Sequence, residues 1–288
     1  MADAPSFASL EGERIGREYG QTSLPVDPHK IASGANIEVL AKELSGGVSG
    51  ILIRVGDAFV ITYATHFQNE GFERFSVGHE LGHYFLPGHP EHVFDSNGIH
   101  TSRAGFVSKD SREIEADQFA ASLLMPRKAF SRAVDSATAG LDAIEELSKL
   151  CRTSLTATAI RFTECADTPL AIVLSNQERV EFCFMSSKFK AFRDITWIRK
   201  DEPIPRRSVT WRLAANPQDI LYHERMEDLV EIQEWFSGGP SIKLLEEVRG
   251  LGRYGKVLTI LTPSDSIDEQ EDEEEHDLVA SWTPTFRK

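Results

Sequence analysis

The stretch Phe75-Ser76-Val77-Gly78-His79-Glu80-Leu81-Gly82-His83-Tyr84 holds two histidines four positions apart, with a glutamate directly after the first. On a helix, positions i and i+4 lie on one face about one turn apart, so His79 and His83 can offer their imidazoles to one tetrahedral cation. Glu80 does not ligate there. It reaches a water that the cation activates, and can take its proton as that water attacks a peptide carbonyl. A divalent cation brings the pKa of such a water toward about 7, which makes a carboxylate a competent base. Two histidines on a solvated helix face would do none of this. Here Ser76 stands as a cap, and apolar Phe75, Leu81 and Phe85 require the helix to be at least half buried.

A hydrolytic centre of this kind needs a third protein ligand and an open fourth position. The stretch from Arg112 to Pro126 offers Glu113 and Glu115, and helical spacing separates them. Glu113 shares a stripe with Ala116, Asp117, Ala120 and Leu124, which reads as the buried side. Glu115 shares its side with Arg112, Gln118 and Ser122, which reads as solvated. The expected ligand set is therefore His79, His83 and Glu113. Asp117 lies one turn beyond Glu113 on the same inward face without an apolar reason to be there. It fits as the acceptor for the far nitrogen of a ligand histidine. Two histidines and one carboxylate suit Zn2+ and also Mn2+. His89, His92 and His100, in the following segment, and Tyr63 and Tyr84 are candidates to steady an oxyanion. The residues do not choose among them.

The pair of motifs, Arg74-Phe75-Ser76-x-Gly78-His79-Glu80-Leu81-Gly82-His83 and Glu113-x-x-Ala116-Asp117-x-Phe119-Ala120-x-x-Leu123-Leu124-Met125-Pro126, resembles the ImmA/IrrE family of metallo-endopeptidases. Together the motifs are specific, and they cover about residues 30–130. The resemblance implies a small zincin-like domain in which a sheet lies beside two ligand-bearing helices. His79, His83 and Glu113 then stand at the family's ligand positions and Glu80 at its catalytic glutamate. It also implies a target, a helix-turn-helix transcriptional repressor whose cleavage derepresses stress or mobile-element genes. The later layout is similar to the longer, radiation-response members. In those, the C-terminal domain resembles a GAF-type sensor fold, which implies a small-molecule effector.

The elements expected to position these residues make an α+β chain. Residues 1–30 read as an irregular lead-in and residues 31–130 as the catalytic domain. Residues 131–165 read as a helix-turn-helix-like segment, 166–264 as a mixed α/β domain, and 265–288 as an acidic disordered stretch with a tail. Ile37 to Leu44 reads as a short helix. Two apolar runs flank Gly56-Asp57 as a hairpin. Arg74 to Leu86 reads as the motif helix, His89 to Ser111 as a loop, and Arg112 to Met125 as the second helix. Leu141 to Cys151 and Leu155 to Glu164 read as two helices joined by Arg152-Thr153-Ser154. Strands are expected at Pro169 to Leu174, Val180 to Met185 and Lys256 to Leu261, and a helix near Glu227 to Phe236.

Composition narrows the function classes. A net charge of −14 opposes tight binding of nucleic-acid phosphates. The helix-turn-helix-like segment supports a rival reading, a DNA-binding regulator whose metal site is sensory or structural. Its charges oppose that: Asp142, Glu145 and Glu146 stand against Lys149, and Arg161 against Glu164. The stretch from Lys188 to Arg212 carries eight Lys or Arg against three acids, among aromatic residues. It reads as a fold surface balancing an acidic protein. The stretch from Asp265 to Asp277 carries nine acidic residues and repels itself. Cys151, Cys165 and Cys183 have no paired ligand spacing and fit a reducing compartment. The first residues lack a signal-peptide pattern, and no apolar run spans a membrane. The expected location is cytoplasmic.

Overall fold

The computed structural model describes residues 5–103 and 110–264. The acidic stretch and tail expected over 265–288 lie outside the described residues. The chain divides into two compact units, the first ending at Ala166 and the second beginning at Asp167. No helix among the described residues is long and apolar enough to cross a membrane.

The first unit contains a sheet of β1 (Glu38–Lys42), β2 (Val48–Val55), β3 (Ala58–Ala64) and β4 (Ile99–Arg103), in the order β1-β3-β2-β4. β1 runs parallel to β3, and the other pairs are antiparallel. The hairpin at Gly56-Asp57 forms as expected, with Gly56 at φ 63 supplying the left-handed turn residue. Helix α3 (Glu70–Phe85) packs on β2 and β3, and α5 (Ser111–Leu124) packs on α3. Leu52 and Ile61 of the sheet, Val77 and Leu81 of α3, and Phe119 and Leu123 of α5 share one buried core.

Several local expectations give way here. The lead-in is helical: α1 (Phe7–Glu18) is capped by Ser6, and α2 (Pro28–Gly34) is capped by Asp27. The buried face of α1 is Ala8, Gly12, Ile15 and Gly16, set against α5. Small residues allow that close packing and leave little hydrophobic signal. The expected helix at Ile37 to Leu44 is instead strand β1, whose Val39 and Leu40 pair with Ile61 and Thr62. A short apolar run does not tell helix from strand, and the β3 edge decides. Helix α3 begins at Glu70 because the Asn69 side chain accepts from the Phe72 amide at 3.0 Å. Ser76 is no cap: its hydroxyl donates to the Phe72 carbonyl at 3.0 Å, inside the helix. The segment expected to be a loop carries the short helix α4 (His89–His92) and the strand β4.

Beyond α5 come α6 (Arg127–Val134), α7 (Gly140–Cys151) and α8 (Leu155–Cys165). α7 and α8 match the expected helix pair, with Arg152 in the left-handed region at the joint. The buried Arg74 guanidinium donates to the Arg152 carbonyl at 3.1 Å and also to the Val26 carbonyl. It thereby fastens α3 to the helix pair and to the segment before α2.

The second unit is built on an antiparallel sheet of β5 (Ala171–Asn176), β6 (Arg179–Met185), β7 (Arg225–Glu231), β8 (Lys243–Gly250) and β9 (Lys256–Pro263). Its order is β6-β5-β9-β8-β7. The expected helix near Glu227 to Phe236 is β7 followed by a single turn of helix, Ile232–Trp235. β8, unforeseen, supplies β7's partner along its whole length. Phe189, Phe192 and Trp211, from the locally basic stretch, pack into this unit's core.

Candidate metal centre

Helix α3 presents His79, Glu80 and His83 toward the unit's interior, and all three are buried. Helix α5 can lie close beside it because Gly78 and Gly82 flank the histidines. A Cβ at Gly82 would stand only 3.1 Å from the Ala116 Cα. That approach puts Glu113 against both rings: Oε2 is 3.3 Å from His79 Nε2, and Oε1 is 3.3 Å from His83 Nε2. The two Nε2 atoms are 3.0 Å apart. Strand β4 adds a fourth group, with His100 Nε2 3.3 Å from Glu113 Oε1 and 3.2 Å from His83 Nε2. The donor atoms of His79, His83, His100 and Glu113 all lie within 4.8 Å of one another. His79, His83 and Glu113 form a donor set that fits Zn2+ and tolerates Mn2+, and His100 stands at the remaining corner of the cluster.

The structure brings together all five residues singled out from the sequence. Asp117 Oδ1 accepts from His79 Nδ1 at 2.8 Å, which turns Nε2 toward the cluster. Glu80 is fully buried, and neither of its carboxylate oxygens has a hydrogen-bond partner among the described residues. An orphaned buried carboxylate costs on the order of 1–3 kcal/mol or more. Its place beside a cluster of metal-binding donors gives that cost a reason, since a general base must stand there. Gly50 of β2 makes the room: a Cβ there would stand 2.4 Å from Glu80 Oε1. Gly50→Ala is therefore expected to displace the carboxylate. It should lower turnover by on the order of 10²-fold, as an ångström-scale misplacement does, while zinc stoichiometry stays at the wild-type value. Metal analysis beside a peptidase assay checks both halves.

Of the oxyanion candidates, only His100 enters the donor cluster, held also by the Ser102 hydroxyl at 3.2 Å. His92 is exposed and bonds the Gly88 carbonyl at 2.8 Å. Tyr84 packs edge-on against Phe59, and Tyr63 against His29. His100 was beyond helical periodicity because its position depends on β4 pairing with β2. Glu115, expected to be a solvated charge, accepts from His89 Nε2 at 3.0 Å. His89 is buried, and its Nδ1 lies 3.1 Å from His83 Nδ1.

The electrostatics follow from these contacts. Burial pushes the His79 imidazole down, but hydrogen bonds to Asp117 and Glu113 outweigh it and hold the group up at about 10. Burial drives His83 down to about 3, over the opposing pull of Glu113. Burial would raise Glu113, yet hydrogen bonds from His100, His79 and His83 hold it well below the usual carboxylate range. Burial pushes Glu80 up, against the opposing charges of His79 and His100, which moves it toward the range of a general base.

Residues 37–163 match the family model for peptidase family M78, described as an IrrE N-terminal-like domain. A solved structure of a Mycobacterium tuberculosis transcriptional regulator is similar in fold, with a TM-score of 0.56 at 14% sequence identity. The likeness covers 89% of this chain and 76% of that one. No curated protein matches the sequence.

Proposed function

We propose that this chain, whose residues 37–163 carry an IrrE N-terminal-like peptidase domain, is a zinc-type endopeptidase that cleaves a helix-turn-helix transcriptional repressor. The observation that carries the reading is the buried, unpartnered Glu80 carboxylate beside four convergent donor side chains. His79, His83 and Glu113 would hold the cation, with Asp117 fixing the His79 ring. When bound, the cation supplies Lewis acidity, lowering the pKa of a water and polarising the scissile carbonyl. Glu80 takes the proton of the attacking water at its carboxylate and delivers it to the departing amine. His100, on the strand beside the site, donates from its ring nitrogen to the developing oxyanion.

The repressor as substrate rests on the ImmA/IrrE resemblance. Specificity would come from contacts away from the short cleft, because docking at a distance raises the effective concentration of one chosen segment. The second unit, a mixed α/β body, offers such a surface or a seat for a small-molecule effector. The test is to incubate the zinc-loaded chain with casein, with the repressor encoded beside its gene, and with unrelated repressors. A single cut in the adjacent repressor, absent for Glu80→Gln, is expected. Rapid digestion of casein would remove the docking idea. A specific, salt-sensitive shift of promoter DNA by metal-free protein, without any cleavage, would favour the DNA-binding regulator instead.

A further inference from the structure

We propose that His89 and Glu115 form a hydrogen-bonded prop that fixes the ring of His83, making Glu115 a positioning residue for the metal centre. The inference rests on the reading that His79, His83 and Glu113 hold a divalent cation. It adds to that reading a role for two residues that the hydrolytic chemistry leaves unused.

The direction of every hydrogen bond in the chain follows from its outer end. A carboxylate only accepts, so the 3.0 Å contact between Glu115 Oε2 and His89 Nε2 places a hydrogen on that nitrogen. A neutral imidazole then has its other nitrogen free to accept. The 3.1 Å contact between His89 Nδ1 and His83 Nδ1 is thus a bond that His83 donates. With its proton on Nδ1, His83 turns a bare Nε2 lone pair toward Glu113, His79 and His100, the tautomer a ligand must have. His79 is held in the same sense by Asp117, at 2.8 Å from its Nδ1. The two ligand rings of the motif therefore have matching supports, one direct from α5 and one relayed through α4.

The relay depends on a backbone turn. His89 opens α4 immediately after Gly88, whose φ of 84 lies in the left-handed region. That turn folds the chain back after α3 and brings the buried ring of His89 against His83. Glu115 meets it from α5, with its side chain 49% exposed. Removing a half-exposed side chain has little reason to unfold the protein, so its effect on the metal is readable.

The test is the zinc Kd of the full chain, measured by competition with a chromogenic chelator, together with the thermal midpoint of the zinc-free protein. Glu115→Ala should weaken zinc by about 10- to 100-fold, the range for loss of an outer partner of a ligand, with the midpoint unmoved. Glu115→Gln keeps an amide oxygen that accepts from His89 Nε2, and should stay within about threefold of wild type. Wild-type affinity in Glu115→Ala would overturn the relay. Equal losses in the two variants would also overturn it, because charge rather than the hydrogen bond would then be what acts. Wild-type protein that binds no zinc would instead remove the metal-centre reading beneath it.

Discussion

Glu80→Gln is expected to retain one zinc per chain and to lose peptide hydrolysis by on the order of 10²–10⁴-fold, the usual worth of a positioned general base. The amide matches the carboxylate in size, so the room that Gly50 leaves is filled in the same way. It cannot accept the water's proton, and that is the single function removed. The substitution also relieves a buried, unpartnered carboxylate, so the variant should be at least as stable as the parent. Loss of hydrolysis with an unchanged or raised melting temperature would separate chemistry from folding. Hydrolysis within a few-fold of wild type would remove Glu80 from the reaction.

The second large effect is on the metal itself. His79→Ala should abolish stoichiometric zinc, because it removes a donor that sits 3.0 Å from its partner nitrogen and strands Asp117. Glu113→Gln should also weaken binding by more than the roughly 10- to 100-fold typical of an outer partner. Its carboxylate touches three imidazoles, and its charge is held ionised by them. Zinc content after loading and desalting reads both variants. A zinc-replete Glu113→Gln protein would remove Glu113 from the ligand set.

The parts of the site that could be read from the sequence are those whose geometry is local. The spacing of His79 and His83 is itself a statement about one helix face, and Glu113 and Asp117 follow from the inward stripe of a second helix. His100 could not be placed in this way, because it reaches the cluster only through non-local pairing of β4 with β2. Ile99–Arg103 has little apolar alternation to announce a strand. His89 depends on the turn at Gly88, and Glu115 shows the limit of reading one helix alone. Glu115 itself is exposed, but Ser122, expected on the same solvated side of α5, is buried, and α4 brings a buried ring to meet Glu115. The fold shows the same division. The β2–β3 hairpin, α3, α5 and the α7–α8 pair follow from apolar period and turn residues. α1 was hidden by an Ala and Gly face, and β1, β7 and β8 are strands because of their neighbours rather than their own pattern.

The most direct measurement is an anomalous difference map from crystals of the zinc-loaded protein, collected on both sides of the zinc edge. The account predicts one strong peak per chain at about 2.0–2.2 Å from His79 Nε2, His83 Nε2 and a Glu113 carboxylate oxygen, with Glu80 outside the ligand sphere. No peak at that point, or a peak ligated by Glu80 or by Glu115 in place of Glu113, would contradict it.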